Sequence, residues 1–171
     1  MGYTFFSKFD IRTKQELVER IIQDYSNNDF SFQKKCVKGS VMYALMKNPK
    51  GEFFNVVFLI KQYKSELGYK TMDESEGPYY YDCPKSYLNA ATVEDKSGWR
   101  QKCFDYQKLK KRIGHLPNGI TIVFHNNTEV EFLYVYNKSC TQFVGRNEEG
   151  KVFRYPVQQI KEIKPYLKIA N

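Results

Sequence analysis

The spacing of apolar residues along this chain changes from segment to segment, and each change predicts an element. Met1–Phe9 alternates, with Tyr3, Phe5 and Phe9 on one side and Phe6 on the other, which predicts a first strand. Leu17, Ile21 and Tyr25, flanked by Val18 and Ile22, then form a stripe at helical spacing. Thr13 stands where a helix cap belongs, and Glu16 is placed to reach back and close a capping box. Phe32–Val37 and Val41–Met46 return to the period of strands. Asn48-Pro49-Lys50-Gly51 predicts a tight turn, because proline presets the second position and glycine accepts positive φ at the fourth. Glu52–Tyr63 completes the hairpin. Its two faces, Phe54, Val56, Phe58 and Ile60 against Phe53, Val57 and Leu59, are both apolar, which predicts a central strand covered on both sides.

Beyond Ser65 the pattern weakens. Ser65–Pro84 reads as irregular and Lys85–Ala91 as a short helix, before a polar linker through Lys96-Ser97-Gly98. Trp99–Ile113 is a helix with Trp99, Cys103, Tyr106, Leu109 and Ile113 along one side. After Pro117-Asn118-Gly119 the chain turns to short strands at close spacing: Ile120–His125, Val130–Tyr136, Thr141–Val144, Lys151–Tyr155 and Gln158–Ile163. The predicted fold class is therefore α+β. Residues 1–115 would form an antiparallel sheet with packed helices, and residues 116–171 a small SH3-like β-barrel.

Charge adds one localised feature. The chain carries 27 Lys+Arg against 19 Asp+Glu, a formal net charge of +8. Residues 1–97 hold 14 basic and 13 acidic side chains, and residues 116–171 hold 7 and 5. The remaining surplus falls on the 99–113 helix, where Arg100, Lys102, Lys108, Lys110, Lys111 and Arg112 face one acid, Asp105. Arg100, Lys108, Lys111 and Arg112 gather opposite the apolar side, with Phe104 among them. A ring amid cations suits phosphate neutralisation and base stacking. Tyr79, Tyr80 and Tyr81, between Pro78 and Pro84, offer a second candidate surface for nucleic acid or a protein partner.

Other chemistries find little support. Asp73, Glu74, Glu76 and Asp82 lack the spacing of a calcium loop and read as solvated acids. His115 and His125 stand outside any nucleophile or metal motif, and no phosphate-binding glycine loop is present. Cys36, Cys83, Cys103 and Cys140 lie far apart without a C-x-x-C pair, so reduced, mostly buried thiols are expected. The longest apolar run, Val56–Ile60, is too short to cross a bilayer. No catalytic residue, metal or cofactor is expected, and the chain reads as a cytoplasmic binding protein.

Several segments together carry a resemblance. They are Met1-Gly2-Tyr3-Thr4, Val56-Val57-Phe58-Leu59, the run from Asp73-Glu74 through Gly77-Pro78-Tyr79-Tyr80-Tyr81-Asp82-Cys83-Pro84-Lys85-Ser86, and Trp99-Arg100-Gln101-Lys102-Cys103. Over residues 1–113 the chain resembles a family, without assigned activity, from phages and mobile elements of Gram-positive bacteria. Members of that family usually begin Met-Gly-Trp-Thr, from which Tyr3 departs conservatively. The resemblance implies a setting inside a bacterial host cell and, by analogy, interference with restriction or CRISPR nucleases. The expected partner is DNA, RNA or a host nuclease loaded with nucleic acid. A protein–protein adaptor or inhibitor is the alternative, with the tyrosine loop and the barrel's aromatic face as its contacts. Phe132, Tyr134, Tyr136, Phe143, Phe153 and Tyr155 exceed what so small a core can fully bury. A divergent enzyme is the third reading.

Overall fold

A computed structural model describes residues 11–72 and 80–165. The predicted strand at Met1–Phe9, the acids Asp73, Glu74 and Glu76, and Tyr79 lie outside the described residues. The fold is mixed α+β with two antiparallel sheets. Two compact units, residues 1–104 and 105–171, each hold one of them.

The first unit opens with α1 (Lys14–Ser26), capped as predicted on one side: the Thr13 hydroxyl accepts the Glu16 N–H at 3.2 Å. Four strands follow, β1 (Ser31–Lys38), β2 (Val41–Lys47), β3 (Phe53–Tyr63) and β4 (Glu66–Met72), hydrogen-bonded in chain order. At the β2–β3 turn, Asn48 Oδ1 accepts from Lys50 N–H and Glu52 N–H, and Gly51 takes φ of 81°. The strand β4 corrects the reading of 65–84 as irregular. Its hairpin turn puts Lys64 at φ of 54°, a conformation normally flagged by glycine or asparagine, so no turn signal was visible.

As predicted, the middle of this sheet is covered on both faces. On one, Leu17 and Ile21 of α1 pack with Met42, Met46, Val56, Phe58, Ile60, Leu67 and Tyr69. On the other, Tyr43, Leu45, Val57, Leu59 and Met72 pack under α2 (Lys85–Ala90) and the start of α3 (Trp99–Ile113). Tyr25 binds both ways: its ring meets Phe58 edge-on at 5.4 Å, and its hydroxyl hydrogen-bonds to that of Thr71 at 2.7 Å.

The second unit carries β5 (Thr121–Phe124), β6 (Glu129–Val135), β7 (Gln142–Arg146), β8 (Val152–Pro156) and β9 (Ile160–Ile163), in spatial order β8-β7-β6-β5-β9. A single 3₁₀ turn, Val157–Gln159, leads into β9. The core is Ile122, Phe124, Val130, Phe132, Phe143, Val157, Ile160 and Ile163, joined by Ile113 from α3. Because Ile113 packs here, with Tyr106 and Leu109 beside it, the division between units falls inside α3 and not near residue 116. Asn147-Glu148-Glu149-Gly150 repeats the chemistry of the β2–β3 turn: Asn147 Oδ1 accepts from Glu149 N–H and Lys151 N–H, and Gly150 takes φ of 79°.

Candidate nucleic-acid interface

The helix α3 is started by side chains that precede it. The Asp95 carboxylate accepts the N–H groups of Arg100 and Gln101 at 3.3 and 3.2 Å, and Ser97 Oγ accepts that of Trp99. Trp99 and Cys103 are buried in the first unit and Ile113 in the second, so the predicted apolar side is the buried one.

Opposite it, the predicted binding residues divide. Lys108, Lys111 and Arg112 are exposed, and among the described residues none of them forms an ion pair. Lys111 and Arg112, with Lys110, occupy the last turn, where the helix dipole favours cations. Lys108 lies before that turn, and Lys110 rests its ammonium 5.0 Å over the Tyr106 ring.

Arg100 and Phe104 do not belong to this surface. The Arg100 guanidinium is half-buried and donates to the carbonyls of Ala91 (3.3 Å) and Val93, tying the linker to the helix. Phe104 is half-buried against the α2-covered core of the first sheet. Both are thus engaged within the first unit. Tyr80 and Tyr81 pack against that same core, so the tyrosine run is turned inward where it is described. Burial decided all four, because each had an apolar or carbonyl surface within reach that a helical wheel or a loop motif does not represent.

The aromatic face expected of the second unit carries a second surface, where Phe153 is 49% exposed. Tyr134 is 57% exposed, Tyr136 48% and Val152 51%. Register explains this. Phe132 pairs with Gly145 and Tyr134 with Val144, so Leu133 is an extra residue in β6. The bulge reverses the alternation: Phe132 points into the core and Tyr134 and Tyr136 point away from it. Val144 and Arg154 share the outward row with Tyr134, and the Arg154 guanidinium lies 4.6 Å over the Tyr136 ring. On the neighbouring row Arg146 bonds Glu131 at 3.1 Å.

The remaining chemistry is sparse. Among the described residues no group of three or more His, Cys, Asp and Glu side chains is placed to hold a metal ion. His115 and His125 are exposed. No disulfide joins the four cysteines; Cys83 and Cys103 are buried, and Cys36 and Cys140 half-buried. A cavity of about 670 Å³ beside the β2–β3 turn is lined by Phe30, Phe54, Asn55 and Val93, with Lys50 and Lys96 offset by Glu52 and Glu94. Asn55 is buried, and its Nδ2 donates to the Tyr87 carbonyl at 3.0 Å. Balanced charge gives that cavity no preference for a polyanion. Among the described residues no helix is long and apolar enough to cross a membrane. No family model, curated protein or solved structure matches the chain.

Proposed function

We propose that this protein is a non-enzymatic accessory protein of a phage or mobile element that binds nucleic acid, or a host nuclease loaded with it, and so interferes with a restriction or CRISPR-type defence. The observation that carries the binding role is the exposed cluster Lys108, Lys111 and Arg112, three cations without acidic partners among the described residues. Such a cluster displaces counterions from a phosphate backbone, which is the dominant source of affinity for a polyanion. The phage setting rests on the resemblance over residues 1–113.

We also propose that the second sheet closes into an SH3-like barrel. Its strand order returns β9 to pair with β5, a 3₁₀ turn precedes β9, and register shifts in β5 and β6 curl the sheet. Small barrels of this kind serve as binding modules. The exposed tyrosines of β6 favour a second reading, a protein–protein inhibitor that needs no nucleic acid.

Fluorescence anisotropy with labelled DNA and RNA separates the two. Phosphate binding weakens by orders of magnitude between about 50 and 200 mM salt, whereas an aromatic protein interface changes little. The variant Lys108→Glu/Lys111→Glu/Arg112→Glu is expected to lose binding with an unchanged circular dichroism spectrum. Unchanged affinity of that variant would overturn the cationic reading. For the defence role, expression in a host with an active restriction or CRISPR nuclease is expected to raise phage plating, and no rise would remove it.

A further inference from the structure

We infer that the outward face of β6–β8 is a stacking platform for single-stranded nucleic acid, with Tyr134 and Tyr136 as the base-stacking rings and Arg154 as the cation beside them. This rests on the nucleic-acid reading above and narrows it from any polyanion to a single strand.

Tyr134 lies in β6 and Tyr136 just past its end, where its N–H still bonds the Gln142 carbonyl at 3.0 Å, so at strand spacing their Cα atoms are about 6.6 Å apart. Both rings are half open to solvent, in a protein that otherwise buries most of its described aromatic surface. Ring faces are useful to a partner only if it has flat π surfaces to lay on them. In a duplex the bases are stacked on one another, whereas a single strand can splay them out, which is how sheet-based readers of single strands engage two or three bases.

Charge points the same way. Arg154 lies over the Tyr136 ring and makes no ion pair among the described residues. Glu131 is occupied by Arg146, so among the described residues the face presents a guanidinium with no carboxylate partner. That suits a phosphate chain and repels a basic peptide. The scaffold beneath is a paired sheet: Val144, which shares the row with Tyr134 and Arg154, is 4% exposed and paired in register between β6 and β8. Rings held on a sheet lose little freedom when a base settles on them.

The test compares labelled oligothymidylate, oligouridylate and mixed-sequence duplex for the wild-type chain, Tyr134→Ala/Tyr136→Ala, and the triple charge reversal on α3. Wild type is expected to prefer the single strands. The tyrosine variant is expected to lose about tenfold or more in single-strand affinity, as removal of stacked rings does, with duplex binding and thermal stability unchanged. Tyr134→Thr/Tyr136→Thr, which puts β-branched residues of high strand propensity in their place, is expected to behave alike, while Tyr134→Phe/Tyr136→Phe retains binding. If both ring-deleting variants keep wild-type single-strand affinity while the charge reversal abolishes it, the platform is wrong and the cationic reading stands. If the wild-type chain binds no oligonucleotide even at low salt, or its rings capture a proline-rich peptide instead, both are overturned.

Discussion

The two sheets differ in how many of their faces are covered. In the first, α1 packs on one face and α2 with the start of α3 on the other, so β3 buries Phe58 on one side and Val57 on the other. In the second, one face of β6–β8 lies over the Phe132–Phe143 core and the other leaves Tyr134, Tyr136 and Val152 open. The difference teaches where rings are left for a partner. In the first unit Phe104, Tyr80 and Tyr81 are partly buried against the core. In the second, Tyr134, Tyr136 and Phe153 stay about half exposed, and it is there that the proposed binding surface lies.

Core truncation breaks the comparison most severely. Phe58→Ala and Phe143→Ala each remove a ring that is 0% exposed, and each is expected to cost about 3–5 kcal/mol by urea denaturation. The two effects should be similar in size, because the sheets differ in their second face and not in their cores. Values under about 1 kcal/mol at either position would contradict the assigned core.

Gly145→Ala sharpens the account of the second sheet. An added Cβ would meet the Glu131 carbonyl oxygen and Val130 Cγ2 at 3.2 Å and the Phe143 ring at 3.3 Å. Overpacking of this kind costs about 1–3 kcal/mol. A variant as stable as wild type would mean that β6 and β7 separate more easily than their close approach implies.

Alkaline pH should act on the first unit gradually. Burial raises the pKa of the Tyr25, Tyr43, Tyr69 and Tyr87 hydroxyls above the ordinary tyrosine value, that of Tyr87 to about 12. Below the ordinary tyrosine value of about 10 every hydroxyl is protonated in both states, and the stabilisation is complete. Above it the unfolded chain loses protons first, so stability falls as pH rises toward the folded values. Near-ultraviolet absorbance during a pH titration should show phenolate appearing together with loss of tertiary structure. Phenolate formation from all four with the fold intact would contradict their burial.

Much of this fold is legible in the chain because its signals are local. Thr13 with the Leu17–Ile21 stripe defines α1, and the two Asn-x-x-Gly turns mark one hairpin in each unit. The strand β4 was hidden because a lysine, Lys64, takes the left-handed conformation at its turn. The site was less legible than the fold. Lys108, Lys111 and Arg112 lie on the exposed side that helical spacing assigns them. Arg100 was lost to them because its guanidinium finds two main-chain carbonyls in the linker, an attraction between segments that no wheel contains. For Tyr134 and Tyr136 the sequence shows an excess of rings over core, and not which of the rings stay open. Read as a regular strand, they share a side with Phe132, and the single extra residue Leu133 separates them from it.

The positions of the thiols give the first unit a chemical clock. Cys83 and Cys103 are both 0% exposed in the layer between the first sheet and its α2–α3 cover. An alkylating reagent reaches them only when that layer lifts, so their rate of modification reads the frequency of a partial opening that leaves the rest of the chain folded. Cys140, half-buried beside the second core, reacts without such an event and sets the reference rate within the same molecule.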